Sequence, residues 1–300
     1  MRVAAIDLGT NSTRLLVADL IGGGGLLEQA SESVVTRMGE GVDAGGVIGA
    51  PAIARVLEVL GRYRALMDDL GVERAVALLT SAGRDAANGP QVAEQVSGVL
   101  GAPTRIISGD EEARLVYLGA TARHPHGGET AVLDVGGGST ELAIGTGETV
   151  VQHGSAQVGV VRHKERFLHH DPPLPEEIAA LRENVHAQLT AVARGRRVPQ
   201  TISVGGTPVS CATMLGHDPA DGAMIAAERC EELLARIVTL TEAELRAIQG
   251  LHPARAPAIV AGIAIHLEAL AVLGASSFEV SEHDLRHGAV LELAVPPPAL

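Results

Sequence analysis

Two segments of the sequence, one near the amino terminus and one near the middle, align with each other without a gap. The first surrounds Asp7 and the second surrounds Asp134, and each has an apolar run before the aspartate and another after a short polar turn. At one constant offset Gly9 coincides with Gly136, Ser12 with Ser139 and Thr13 with Thr140. Each segment predicts a strand, a tight turn and a second strand, and two copies in register predict two related half-molecules.

The turn of each segment has the composition of an anion-binding loop. Glycine lets the backbone direct its N–H groups at a ligand without interference from a Cβ atom, and the hydroxyls that follow add donors. A carboxylate at the end of a buried strand suits a hydrated divalent cation. Asp7 or Asp134 alone could cap a turn, but their matched occurrence favours metal or phosphate binding in a cleft that the two halves share.

The composition excludes several classes of function. Aromatic residues make up only 1% of the 300 residues, which argues against base stacking, and the net charge of −13 disfavours non-specific binding of a polyanion. We therefore expect neither DNA nor RNA as a partner. An anionic ligand would have to be held by local amides, arginines and metal against the overall field. The single lysine, Lys164, does not belong to a P-loop, so that class of NTPase is excluded.

The sequence also predicts a cytoplasmic protein without a membrane partner. Its amino terminus enters a strand directly and lacks the pattern of a signal peptide. The longest apolar run, 256–273, is interrupted by His266 and Glu268, so it is interpreted as a buried helix. Cys211 and Cys230 are expected to be reduced, buried thiols.

The order of elements predicts a mixed α/β fold. Strands near 3–8, 15–20 and 27–37 open the chain, a glycine-rich loop covers 39–49, and helices then alternate with strands. The polar stretch 121–129 predicts a boundary between domains 1–122 and 123–300. The second half repeats the plan, with strands near 130–135, 141–145 and 149–158 and later helices that include 241–249. The last helix, about 284–300, is a candidate to pack back on the first domain.

Further polar residues follow predicted strands or begin predicted helices. Gly205, Gly206 and Thr207 stand between a strand and a helix, where they form either an anion site or a simple turn. Glu111 and Glu112 begin a helix, where they either complement its dipole or supply a general base for water.

Two arginines and several histidines can be interpreted as surface residues without a role in binding or catalysis. Arg14 and Arg84 are phosphate ligands or salt-bridge partners, with equal weight. The histidines, among them His163, His169, His170, His283 and His287, are expected on solvated faces and not at a metal.

Five motifs follow one another along the chain: AIDLGTNSTR at 5–14, TSAGRD at 80–85, ISGDEEARLVYLG at 107–119, DVGGGSTE at 134–141 and SVGGT at 203–207. In this order they resemble the Ppx/GppA phosphatases, the exopolyphosphatases and guanosine pentaphosphate phosphohydrolases of the actin-like superfamily. The match runs through most of the chain and resembles the short, two-domain members. One departure is Pro257, where the family usually has an acidic residue that could start a helix or contact the cleft.

The resemblance implies an α/β protein with two actin-like (ribonuclease H-like) domains, each a mixed five-stranded sheet with helices, around a central cleft. It implies Mg2+-dependent hydrolysis of a terminal phosphoanhydride, with Mn2+ as an alternative ion, by a homodimer. It makes Glu112 the catalytic glutamate and Asp7, Asp134 and Glu141 the metal ligands. The implied phosphate contacts are Thr10, Asn11, Ser12, Thr13, Arg14, Arg84, Gly136, Gly137, Gly138, Ser139, Thr140, Gly205, Gly206 and Thr207.

The substrate and the reaction remain open at this level. Inorganic polyphosphate and guanosine pentaphosphate (pppGpp) both present a terminal phosphoanhydride, and polyphosphate is the first choice. A phosphotransferase of the same superfamily is a further alternative. The position of Glu112 ahead of the second loop argues against it. The last alternative is a non-catalytic sensor of phosphate or nucleotide. The presence of Asp7, Glu112 and Asp134 argues against it.

Overall fold

A computed structural model describes residues 1–21, 25–124 and 126–294. These residues form two compact units, Met1–Gly119 with the described segment that begins at Leu285, and Ala120–Asp284. The division falls three residues before the boundary that the sequence predicts, inside the helix Gly109–Arg123, which extends into the stretch interpreted as a loop. The chain returns to the first unit at Leu285, and the end of the last predicted helix, 295–300, lies outside the described residues.

The elements are as follows in chain order. The first part contains β1 (Arg2–Leu8), β2 (Ser12–Ile21), β3 (Gly25–Val35), α1 (Val42–Gly45), α2 (Ala50–Asp69), β4 (Arg74–Leu79), α3 (Ser81–Asp85), α4 (Gly89–Leu100), β5 (Thr104–Ile106) and α5 (Gly109–Arg123). The second contains β6 (Thr130–Val135), β7 (Thr140–Thr146), β8 (Thr149–Ala156), α6 (Val160–Phe167), α7 (Pro175–Ala193), β9 (Thr201–Val204), α8 (Gly206–Met214), β10 (Met224–Ala226), α9 (Ala227–Ile237), α10 (Glu242–Leu245), α11 (Ala256–Leu273), β11 (Ser277–Ser281) and α12 (Leu285–Ala294).

The two units repeat one sheet topology. The first sheet has the order β3-β2-β1-β4-β5, and the second contains the equivalent order β8-β7-β6-β9-β11. In both sheets the first three strands form an antiparallel meander. The next strand of the sheet pairs in parallel with the first strand of that meander, β4 with β1 and β9 with β6. This arrangement confirms the two related half-molecules that the repeated segment predicts.

The second sheet has six strands, one more than the five that the sequence predicts. The short strand β10 pairs antiparallel with β11 and adds a sixth strand at the edge. Three residues are too few for a periodic signal, so the pairing is set by packing and not by local pattern. The helix predicted over 241–249 is also wrong in extent, since α10 covers only Glu242–Leu245 after a Thr241 capping box.

The glycine-rich stretch 39–49 is anchored and is not simply an open loop. It contains α1, and the side chains of Val42 and Ile48 are buried. The side-chain amide of Asn88 accepts the N–H of Ile48 at 2.8 Å and donates to its carbonyl at 2.9 Å. This pair of hydrogen bonds ties the stretch to the start of α4.

Helix α11 is the central helix of the second unit. The segment Pro253–Leu273 is long and apolar enough to cross a membrane, yet 72% of its most apolar window is buried inside the protein. Fourteen residues of α11 are buried, which confirms the interpretation of this run as a buried helix. Cys211 and Cys230 are both buried free thiols, also as predicted.

Candidate active site

The first glycine turn connects β1 to β2 in the first unit. The N–H of Gly9 donates to the carbonyl of Ser12 at 3.0 Å. Asp7 at the end of β1 lies opposite Arg14 of β2, and the guanidinium donates to Asp7 Oδ2 at 2.7 and 3.1 Å. The Asp7 side chain is only 4% exposed, so this ion pair is largely removed from water. Arg14 is thus a salt-bridge partner of the predicted metal ligand.

The segment after β3 holds the carbonyl groups of this turn. The N–H groups of Thr36 and Arg37 donate to the carbonyl of Asn11, and the N–H of Gly39 donates to that of Thr10. The hydroxyl of Thr10 is buried and makes no hydrogen bond within the described residues. Buried polar atoms are normally paired, so this hydroxyl fits a loop whose ligand is a phosphate oxygen.

Glu112 stands at the first turn of α5 beside Arg84. The guanidinium of Arg84 donates to Glu112 Oε2 at 2.5 Å and to the carbonyl of Ile107 at 3.0 Å. The Glu112 side chain is 8% exposed, whereas Glu111 pairs with the exposed Arg105. An opposite charge at this distance favours the ionised carboxylate. Arg84, a predicted phosphate contact, therefore also contacts the predicted catalytic residue.

The second glycine turn, between β6 and β7, has the same geometry as the first. The N–H of Gly136 donates to the carbonyl of Ser139 at 3.0 Å. Asp134 lies opposite Glu141, which takes the position that Arg14 holds in the first unit. Both carboxylates are buried, and the hydroxyl of Ser155 donates to Glu141 Oε1 at 2.7 Å. The position that is an arginine in the first unit is therefore a glutamate in the second.

The first turn of α6 holds the carbonyl groups of the second glycine turn. The N–H of Val160 donates to Gly136, the N–H of Val161 to Gly137, and the side chain of Arg162 to Gly138, at 2.7 to 2.9 Å. A Cβ atom at Gly159 would lie 2.4 Å from the Gly137 and Gly138 backbone, so only glycine fits there. Helix α6 thereby fixes the conformation of the loop.

Two of the predicted phosphate contacts form hydrogen bonds to other protein groups through their side-chain hydroxyls. Thr13 shares a hydrogen bond of 2.9 Å with Thr36, and Thr140 donates to the carbonyl of Val158 at 2.7 Å. Both threonines are fully buried. Their side chains therefore stabilise the turns, and only their backbone groups remain candidates for a ligand. Ser12 is half-buried and Ser139 is buried.

The third predicted loop is the junction of β9 and α8. Gly205 has φ +92°, and a Cβ atom there would lie 2.9 Å from Asp134 Oδ1, which brings this junction against the carboxylate. At Gly206 a Cβ atom would collide with the guanidinium of Arg255. A helix amino terminus with an arginine beside it suits an anion.

The sequence interpretation missed Arg255 as a candidate site residue. It ends a 3-10 turn, Pro253–Arg255, immediately before α11. No local signal joins it to a glycine loop 49 positions earlier. Pro257 stands in the first turn of α11, where proline is well tolerated, so the helix begins here without an acidic residue.

The donor set of the second unit fits a hard cation. Asp134 and Glu141 supply carboxylate oxygens from neighbouring strands on one face of the sheet, which is the ligand type that Mg2+ prefers. In the first unit the Arg14 guanidinium binds Oδ2 of Asp7, and the role of Asp7 as a metal ligand stays a prediction. The expectation of solvated histidines is wrong for His163 and His287, which are buried, and correct for His169 and His170.

Two units of this topology, each with a glycine turn at its central hairpin, define a protein of the actin-like ATPase fold type. The sequence profile of the Ppx/GppA phosphatase family matches residues 8–295. Exopolyphosphatase 2 of Mycobacterium tuberculosis is 36% identical, with 98% of each sequence covered. A Ppx/GppA family member from Aquifex aeolicus superposes with a TM-score of 0.82 at 30% identity, covering 98% of this chain and 97% of that one.

A second solved structure supports the same fold. An exopolyphosphatase from Cytophaga hutchinsonii superposes with a TM-score of 0.89 at 24% identity, covering 98% of this chain and 97% of that one. The chain belongs to the Ppx/GppA phosphatase family, and it is a hydrolase of phosphoanhydrides.

Proposed function

We propose that the protein is an exopolyphosphatase that releases terminal orthophosphate from inorganic polyphosphate. The relatives named as exopolyphosphatases support this substrate. The observation that carries the proposal is the pair of glycine turns with identical hydrogen bonds, together with a buried glutamate held by an arginine. From the family resemblance we also propose a homodimer, and from the sequence pattern a cytoplasmic location.

The chain's own groups suit a substrate made only of phosphate. In the second glycine turn the carbonyl groups accept hydrogen bonds from α6 and the N–H of Gly136 closes the turn, so the amide groups that follow Gly136 are the ones proposed to donate to an anion. The amino terminus of α8, with Arg255 beside it, adds donors and positive charge. Such groups neutralise charge that a terminal phosphoryl group carries and develops during transfer.

We propose Glu112 as the general base that orients and deprotonates the attacking water. Its side chain is held at the start of α5 by Arg84, and a base must be both ionised and fixed in position. We further propose that Asp134 and Glu141 hold Mg2+. When bound, the ion would supply positive charge to phosphate oxygens.

The test is phosphate release with Mg2+ from short-chain polyphosphate, long-chain polyphosphate and pppGpp. Glu112→Gln should lower the rate by about 100- to 10,000-fold, the usual contribution of a general base. Glu111→Gln is the matched control, because this neighbour pairs with Arg105 and should retain activity. A loss below about tenfold in Glu112→Gln would remove it from the role. Release from pppGpp alone would reassign the substrate.

A further inference from the structure

His163 is a fully buried histidine in the first turns of α6, and the proposed reaction does not use it. Its Nδ1 accepts the N–H of Gly159 at 3.3 Å, and its Nε2 lies 3.2 Å from Oδ1 of Asn184 in α7. The ring also packs against Phe167, with centroids 5.4 Å apart. Both ring nitrogens are therefore engaged inside the second unit.

The two partners determine the tautomer of the ring. A backbone N–H can only donate, so Nδ1 must be the unprotonated nitrogen. The amide oxygen of Asn184 can only accept, and it also receives a hydrogen bond from Gln188, so Nε2 must carry the proton. Burial lowers the pKa of His163, which agrees with a neutral ring.

Gly159 connects this histidine to the second glycine turn. It is the residue that precedes α6, and its position against Gly137 and Gly138 leaves no room for a Cβ atom. The next two residues donate their N–H groups to the carbonyls of Gly136 and Gly137. The bond from Gly159 to Nδ1 therefore fixes the backbone at the point where the helix meets the loop.

We infer that His163 is a positioning residue that holds the phosphate-binding conformation of the loop Gly136–Gly138 through its Nδ1 acceptor on Gly159. The inference rests on the proposed function of that loop. His163 does not contact the substrate in the proposed reaction, and it acts only through the amino terminus of α6.

Three substitutions of His163 distinguish the contribution of Nδ1 from that of Nε2. The amide oxygen in His163→Asn lies near the place of Nδ1 and can accept the Gly159 N–H, whereas His163→Gln reaches toward Asn184 and His163→Leu does neither. We expect His163→Leu and His163→Gln to raise KM for short-chain polyphosphate about tenfold, the size of one hydrogen bond, while kcat changes less than about threefold. His163→Asn should keep KM within about threefold of the wild type.

A merely structural role would give a different result. Loss of folded protein lowers the apparent kcat at constant KM, so an unchanged KM in folded His163→Leu and His163→Gln would overturn the inference. Rescue by His163→Gln and not by His163→Asn would also overturn it, because the bond to Asn184 would then be the important one. If His163→Leu does not fold, the comparison of the other two variants decides.

Amide hydrogen exchange gives a readout that does not depend on activity. The amides of Gly159, Val160 and Val161 should exchange faster in His163→Gln than in His163→Asn, and equal rates would contradict the inference. If the wild type releases no phosphate from polyphosphate, the proposed function fails, and the exchange rates still decide whether His163 holds the loop.

Discussion

At the scale of single residues, the second unit buries a histidine that lacks a full set of partners. His266 of α11 is fully buried, its Nε2 is 3.4 Å from the hydroxyl of Ser203, and its Nδ1 has no hydrogen bond within the described residues. Its ring packs edge-on against Phe278. Burial lowers the pKa of His266 to about 3, so the ring is neutral in the folded protein.

His266 should therefore make the protein less stable in acid. The unfolded chain takes up a proton near pH 6.5 and the folded chain does not, so stability falls as the pH decreases from 6.5 toward 3. The cost is about 1.4 kcal/mol per pH unit for one proton. We expect the double variant His266→Leu with Ser203→Ala to unfold at higher urea than the wild type, with a larger gain at pH 5 than at pH 8. The exposed His217→Gln is the control, and an equal gain at both pH values would contradict the assignment.

Arg255 is the second residue whose importance comes from its surroundings. It lies against Gly206 at the amino terminus of α8, and it belongs to an otherwise acidic protein. A charge-assisted hydrogen bond from arginine is typically worth about 1.5 to 3 kcal/mol.

Arg255→Gln should therefore raise KM for polyphosphate about 10- to 150-fold. Steady-state kinetics at fixed free Mg2+ measures the effect. Arg246→Gln is the matched control, because Arg246 is exposed and pairs with Glu242 in the same unit. Equal KM values in the two variants would show that Arg255 serves only the fold.

At the scale of elements, the two central hairpins differ in charge although their turns coincide. The hairpin β1–β2 places Arg14 opposite Asp7, and the hairpin β6–β7 places Glu141 opposite Asp134. Carboxylate oxygens from two opposing residues on one face are the ligand type that a hard cation prefers. The second hairpin is therefore where the proposed binding of Mg2+ is tested.

Mg2+ should stabilise the wild type through this second hairpin. A ligand at ten times its Kd raises the free energy of unfolding by about 1.4 kcal/mol. The thermal midpoint should rise with Mg2+ in the wild type, and this increment should disappear in Asp134→Asn and in Glu141→Gln. Glu148→Gln, at the exposed turn of the neighbouring hairpin β7–β8, should keep the increment. An increment that persists in both site variants would place the ion elsewhere.

At the scale of the whole molecule, the net charge of −13 opposes an anionic substrate. Long-range repulsion is screened by salt, since the Debye length falls from about 30 Å at 0.01 M to about 8 Å at 0.15 M. Arginines and amides close to the ligand are screened less than the distant surface charges.

The value of kcat/KM for polyphosphate should therefore rise about two- to tenfold as KCl increases over this range, at constant free Mg2+. The saturated rate, kcat, should change little, because repulsion slows the encounter and not the bound complex. A steady fall of kcat/KM with salt would show that local positive charge dominates the encounter.

Local pattern in the sequence determined much of this protein. The repeated strand–glycine–strand segment determined the two units, because turn geometry and strand pairing depend on neighbouring residues. The sequence motifs also indicated the place of Glu112 at the start of α5 and the places of the three candidate loops. The long apolar run 256–273 located α11.

Tertiary structure alone decided which side chains share these sites. The contact between Arg84 and Glu112, the position of Arg255 against Gly206 and the bond from Gly159 to His163 join groups that the sequence pattern leaves unrelated. The same holds for the edge strand β10 and for the buried histidines. Such contacts depend on how helices and strands pack, and packing is a property of the whole core, whereas periodicity and turn chemistry act over only a few neighbouring residues.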